Sequence, residues 1–209
     1  MSAVWPWLAV AGLGAYHGLD PSMGWLFAVA LGLQERSGVR VVRALGPLAL
    51  GHLLSVAGVV ALFVGVSAVI AIGYVRPAGG AVLVLFGVFR FVWPRAHPRW
   101  VAMRVNSSEL TLWSFLMSSA HGAGLMLLPL LLRISPYMCV SPMLRSPHPI
   151  TQAAIVVLLH TGAMLASMGA IALLVYHYVG LTILRSAWIN LDTIWAGALI
   201  AAGLLSLAV

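Results

Sequence analysis

The stretch HGLDPSMGW, His17 to Trp25, sits in the middle of the first long apolar segment, and its reading decides how the whole chain is understood. An uninterrupted membrane helix would carry Leu, Val and Ala here. Instead an imidazole, a carboxylate and a proline fall together in His17, Asp20 and Pro21. On a helix His17 and Asp20 are three positions apart and share a face, so both side chains point into one space. Pro21 has no N–H, which leaves the His17 carbonyl without its usual i to i+4 partner. Gly14, Gly18 and Gly24 weaken the same stretch. In lipid a freed carbonyl is tolerated only where protein or a water-lined cavity receives it. The segment, about 31 residues and so roughly 46 Å if continuous, is also longer than a span requires. The sequence therefore predicts a kinked or broken helix whose opened turn faces a polar cavity near a membrane midplane.

Composition supports that setting. The chain has 209 residues, of which 62% are hydrophobic and only 7% charged, against about 25% charged in a soluble domain. Apolar runs approach the roughly 20 residues that cross a bilayer. The expected fold class is an all-α polytopic membrane protein of about six transmembrane helices, near residues 3–33, 45–75, 78–93, 110–133, 150–179 and 188–208. Between them lie ERSGVRVVR, RPAGG, PRAHPRW and SPYMCVSPMLRSPHP, rich in the residues that mark turns.

All basic residues are Arg, and the formal charge of +7 forms no long basic run, so it is read against lipid and not nucleic acid. Arg36, Arg40, Arg43, Arg90, Arg95, Arg99, Arg104 and Arg185 fall on one side, and Arg76, Arg133 and Arg145 on the other. The positive-inside rule then puts both termini outside the cytoplasm, and the expected location is a bacterial inner (plasma) membrane. Trp5, Trp7, Trp93, Trp100 and Trp188 near predicted helix ends suit aromatic belts. MSAVWPWLAV lacks a charged n-region and cleavage site, so the first helix is read as retained. Cys139 is the single cysteine, which excludes an internal disulfide or a Cys-x-x-Cys centre.

The halves echo each other. AYHGLDPSMG with His17 is answered by SAHGAGLML with His121, and LALGHLLSVAGVVAL with His52 by VVLLHTGAMLASMGAIAL with His160. Three helices per half is an odd number, so the second copy enters from the opposite side. Residues 1–105 and 106–209 are thus read as two inverted three-helix repeats in a single transmembrane domain.

A carboxylate at a bilayer centre costs on the order of 3 kcal/mol, so Asp20 reads as functional. Its expected partners are His17, His52, His121 and His160, all inside apolar segments. His121 lies midway between Glu109 and Arg133, His160 about ten residues into its helix, and His52, only five residues after Pro47, reads as shallow. Imidazoles converging with a carboxylate suit a borderline divalent cation such as nickel, cobalt or zinc; neutral imidazole equally suits ion exchange or a proton relay. Met23, Met117 and Met164 stand near these histidines and add a thioether route to Cu(I), although Met more often fills helix packing. Glu109, behind Ser107 or Ser108 as a cap, and Asp192 with Asn190 read as helix-start residues. His97, His148 and His177 lie in or near loops, and Arg90 reads as snorkelling to the surface.

At these residues the chain resembles the nickel/cobalt transporter superfamily, including its efflux and its hydrogenase- or urease-accessory permease branches. His17-Gly18-Leu19-Asp20-Pro21 looks like the opening of its first-helix motif, His-Ala-Leu-Asp-Ala-Asp-His, or of shortened forms such as His-Ala-Leu-Glu-Pro. Leu50-Gly51-His52, with Ser55 nearby, is similar to its Leu-Gly-His-Ser/Thr segment. The resemblance covers about forty of the 209 residues, and Ser22 and Met23 stand where the fullest motif has Asp and His. It implies a multi-helix permease that binds a transition-metal cation through the first-helix motif and its neighbours.

The expected function is therefore a secondary transporter of a divalent transition-metal cation, with His17, Asp20, His52, His121 and His160 as a midplane path and no organic cofactor. No GxxxxGK[ST] loop is present, so coupling falls to ion gradients or partner membrane subunits. Two other classes compete: a membrane haem protein using paired intramembrane His, and a non-transporting subunit of a larger membrane complex. Catalysis is not expected, since neither His-Glu-x-x-His nor Gly-x-Ser-x-Gly occurs.

Overall fold

The computed structural model describes residues 4–69, 72–93, 106–134 and 149–179, together with positions 197, 199–201, 203–204 and 207. Among the described residues the regular structure is all helix, without a strand. Helix α1 spans Trp5–Leu19, followed by a single 3-10 turn at Pro21–Met23 and by α2, Trp25–Gln34. Then come α3 (Gly38–Val69), α4 (Ile72–Val92), α5 (Ser107–Ala120), α6 (Ala123–Ile134) and α7 (Pro149–Leu174), the last continuing as a π turn over Val175–Val179.

Two stretches, Gly38–Val66 and Ile150–Val179, are long and apolar enough to cross a membrane. A third qualifies if the bent pair Ser107–Ala120 and Ala123–Leu131 acts as one span. At a rise of 1.5 Å per residue the two long helices each exceed the roughly 30 Å of a hydrocarbon core.

The first break falls where HGLDPSMGW predicts it. The residue before a proline is pushed out of the helical region, and Asp20 is extended at φ −67° and ψ 120°. Its carboxylate accepts the Ser22 N–H at 2.8 Å and caps the 3-10 turn, with Pro21 in the first position where its missing N–H costs nothing. Gly24, at φ 112°, takes the left-handed turn into α2. The freed carbonyls are received by the protein itself. His17 O accepts the Asp20 N–H at 3.2 Å, and Leu19 O accepts the Trp25 indole N–H at 3.1 Å. The His17 carbonyl, which the sequence leaves open, is thus closed by a tighter i to i+3 bond.

A second break lies in the fourth apolar segment. The fourth apolar segment reads as continuous, but α5 ends at Ala120 and α6 starts at Ala123, bent by 55° across His121 and Gly122. No proline lies at that joint; Gly122 at φ 68° makes the turn. The cap of α5 is Asn106, not Ser107 or Ser108. Its side chain accepts the Glu109 N–H while the Glu109 carboxylate accepts the Asn106 N–H, each at 2.9 Å, a reciprocal box that neither serine provides.

Helix α3 begins at Gly38, well before the expected residue 45, with Pro47 in its interior. His52 is consequently deep in the helix and not shallow. Helix α4 begins at Ile72, with Pro77 inside it. Arg90, in the last turn of α4 where a cation suits the helix dipole, is buried and does not snorkel. Most of the sixth expected segment, with Asn190 and Asp192, falls outside the described residues, as do Cys139, His97 and His148.

The helices pack in crossed pairs. Helix α1 lies on α7: Gly14 faces the His160 backbone and Gly18 the turn at Met164 and Ser167, while Ser167 Oγ donates to Ala15 O at 2.8 Å. Helix α5 lies on α3: Gly51 faces Thr111 O and Phe115 N, Ser114 Oγ donates to Leu48 O at 2.6 Å, and the Ser55 and Ser119 hydroxyls bond at 2.8 Å. Residue numbers rise together along both pairs, so both are parallel. Small residues and hydroxyls at such contacts suit lipid, where apolar surface alone does not drive helices together.

Two apolar blocks fill the interior. One gathers Val10, Val56, Val60, Phe63, Leu127 and Val156; the other Trp25, Val41, Leu48, Met164, Met168 and Ala172. Along α3 and α7 the histidine falls between the blocks.

Candidate functional site

Between those blocks three imidazoles from three helices meet. His17 on α1, His52 on α3 and His160 on α7 are each 0% exposed. Their ring centres lie 5.4 Å apart for His17 and His52, 4.9 Å for His17 and His160, and 5.3 Å for His52 and His160. The His52 and His160 rings are stacked at 19°, and His17 stands edge-on to both at 69° and 79°. Gly14 brings α1 close enough to α7 for this meeting, because any side chain there would run into the His160 backbone.

Two of the three rings are oriented by backbone carbonyls. His17 Nδ1 bonds Leu13 O at 2.9 Å, and His160 Nδ1 contacts Val10 O at a longer 3.4 Å. A carbonyl only accepts, so Nδ1 carries the hydrogen and Nε2 is the basic nitrogen of each ring. Metal-bound histidines are oriented in this way. His160 Nε2 and both nitrogens of His52 have no hydrogen-bond partner among the described residues. An unsatisfied buried polar group costs about 1–3 kcal/mol, so such atoms ask for a functional reason.

A metal ion held by one nitrogen of each of three imidazoles at about 2.0–2.1 Å puts ring centres roughly 5 Å apart. The triad has that spacing but not the orientation. His17 stands edge-on to two stacked rings, and among the described residues no group of three or more His, Cys, Asp or Glu is set to hold a metal ion.

His121 and Asp20 do something else. His121 caps α5, with Nδ1 on Met117 O at 2.8 Å and Nε2 facing Ser22 Oγ at 3.3 Å. Nδ1 therefore donates, and the Ser22 hydroxyl donates to Nε2. One helix break thus touches the other. The expected shared face of His17 and Asp20 presumes a helix running through both, but α1 ends at Leu19 and the carboxylate turns back to its own cap. Asp20 is a turn-former here. Ser22, which by sequence stands only as a departure from a motif, is the residue that joins the breaks; its place directly after the Asp-Pro turn is the available signal. Met164 packs among Trp25, Leu45 and Ala172 in the second apolar block, which favours packing over ligation for this thioether.

Replacing Asp20 separates the capping role from the charge. Asp20→Ala is expected to lower unfolding stability by about 1 kcal/mol, the usual value of a cap, whereas Asp20→Asn, which keeps an acceptor for Ser22 N, stays within a few tenths. Denaturant titration of both variants in detergent checks this; an equal loss in both would give the role to the negative charge. In comparisons with known proteins, no family model, no curated protein and no solved structure matches the chain.

Proposed function

We propose that this protein is a small secondary transporter for a divalent transition-metal cation, with His17, His52 and His160 as the cation site. The observation that carries the reading is the meeting of three fully buried imidazoles from three separate helices at 4.9–5.4 Å. Three nitrogen donors without a carboxylate suit nickel, cobalt, zinc or copper better than hard cations such as magnesium or calcium. The partial likeness of HGLDP and LGHLLS to the nickel/cobalt permeases points the same way.

In this reading the chain forms six spans in two inverted halves, 1–105 and 106–209, with both termini outside the cytoplasm of an inner membrane. The crossed packing supports it. A pseudo-two-fold axis in the membrane plane exchanges α1 with α5 and α3 with α7, and so turns the parallel pair α1–α7 into the parallel pair α5–α3. Transport would then proceed by rocking of one half against the other about the central site. The same ring distances weigh against haem, because the imidazoles already touch ring to ring and a porphyrin between any two would force their helices apart.

Cobalt(II) titration of the purified protein in detergent tests the proposal. One ion per chain is expected, with the intense visible bands of a low-coordinate cobalt site, weakening as pH falls because protons compete for the same nitrogens. Proteoliposomes should then take up cobalt. No saturable binding at micromolar cobalt, or a Soret band in the protein as isolated, would sink the idea.

A further inference from the structure

The inverted repeat has a consequence for the ligand set. His17 and His121 answer each other in the sequence, as do His52 and His160 on the two long helices, with His17 in the last turn of α1 and His121 at the C-cap of α5. The axis that exchanges the halves therefore carries the His52–His160 pair onto itself, and the triad of His17 with that pair onto a second triad, His121 with the same pair. We propose that the third ligand alternates: His17 completes the site in the arrangement described above, and His121 completes it in the oppositely facing one. The proposal rests on the transporter reading and adds to it the identity of the ligand that changes hands.

Three observations support the exchange. The central pair is the stacked one, at 5.3 Å and 19°, as expected of two rings facing each other across an axis. His17 and His121 are prepared identically. Each sends Nδ1 to the carbonyl four residues earlier, Leu13 O at 2.9 Å and Met117 O at 2.8 Å, which leaves Nε2 as the basic nitrogen in both. And His121 Nε2 is occupied by the Ser22 hydroxyl from the opposite break. That bond occupies the His121 nitrogen while His17 stands in the triad.

The two halves are not equal in this respect. The offset that takes His17 to His121 takes Ser22 to Met126, a buried thioether packed with Leu83 and Leu199. A thioether has no hydrogen to donate, so Met126 cannot give His17 the hydrogen bond that Ser22 gives His121. The Ser22 hydrogen bond thus biases the empty protein toward the arrangement with His17 in place. Opening it is a necessary part of the transport cycle.

Cobalt affinity in a set of variants in detergent tests the exchange. His17→Gln should weaken binding, leaving His121 to complete the site against the hold of Ser22. Adding Ser22→Ala in that background should then strengthen binding by about three- to tenfold, the equivalent of one hydrogen bond. Adding His121→Gln should abolish the gain. No gain from Ser22→Ala, or a gain that persists without His121, overturns the proposal. If His17→Gln does not purify as a folded protein, cobalt counterflow in proteoliposomes decides. His121→Gln should slow it more than tenfold, since glutamine keeps an acceptor for Ser22 but no imidazole, and a wild-type rate refutes the exchange. Cobalt binding by His52→Ala is the separate check on the site itself. If that variant binds as wild type does, the transporter reading fails and takes the alternation with it; if it does not, a negative result at Ser22 counts against the alternation alone.

Discussion

Gly14→Leu is expected to destabilise the folded bundle by about 3 kcal/mol or more and to abolish cobalt binding with it. Even a bare Cβ at this position would meet the carbonyl oxygen of His160, with His160 C at 3.0 Å and Cα at 3.1 Å. These are backbone atoms inside a long helix, so no side chain can swing away. Relief requires α1 to move off α7, at the upper end of what overpacking costs. That movement also carries His17 away from His160. Gly12 and Gly162 provide the contrast, since a Cβ on either meets nothing within 4 Å. Alanine at those two positions should be neutral or slightly stabilising, because alanine favours a helix by up to about 1 kcal/mol over glycine. Unfolding midpoints in detergent for all three variants measure the difference; a Gly14→Leu midpoint near wild type would mean that α1 does not seat on α7 as described.

The second large effect falls on the triad. His52→Leu is expected to weaken cobalt binding by more than roughly 100-fold, beyond the 10–100-fold that the loss of an outer-shell partner costs. Without metal the same variant should be more stable than wild type, by about 1 kcal/mol. Both His52 ring nitrogens are buried without a hydrogen-bond partner among the described residues, and leucine removes them from a nearly apolar place at similar volume. Gained stability alongside lost affinity is the signature of a residue retained for function, not for folding. Paired denaturant and cobalt titrations read both quantities. A His52→Leu protein that is less stable and binds cobalt normally would make this histidine a packing residue.

How much of this was legible in the sequence depended on whether the cause was local. The break at Asp20 could be read because Pro21 and its neighbouring glycines act on their own backbone. The break at Gly122 could not. No proline marks it, and its positive φ is held by the surroundings, where a Cβ would meet Phe86 at 3.0 Å and Leu199 at 3.2 Å. A segment beginning near residue 45, with Pro47 five residues before His52, makes that histidine read as shallow, whereas α3 starts at Gly38 and runs straight through Pro47. The pairing of Asp20 with His17 on one face holds only in a continuous helix, and α1 ends at Leu19. The histidines themselves stood out as costly residues in apolar segments. Which three of the four converge depends on how separate helices pack, and no spacing along the chain records that.

The seat of α1 on α7 also sets an order of assembly. The His17 codon is translated long before that of His160, and at about 5–20 residues per second the ribosome needs roughly 7–30 s to cover the interval. For that time the glycine face of the first helix has no partner of its own chain. A nascent chain arrested before α7 should therefore show Gly14 and Gly18 open to lipid or to insertion factors, and the histidine cluster can close only once α7 has been made.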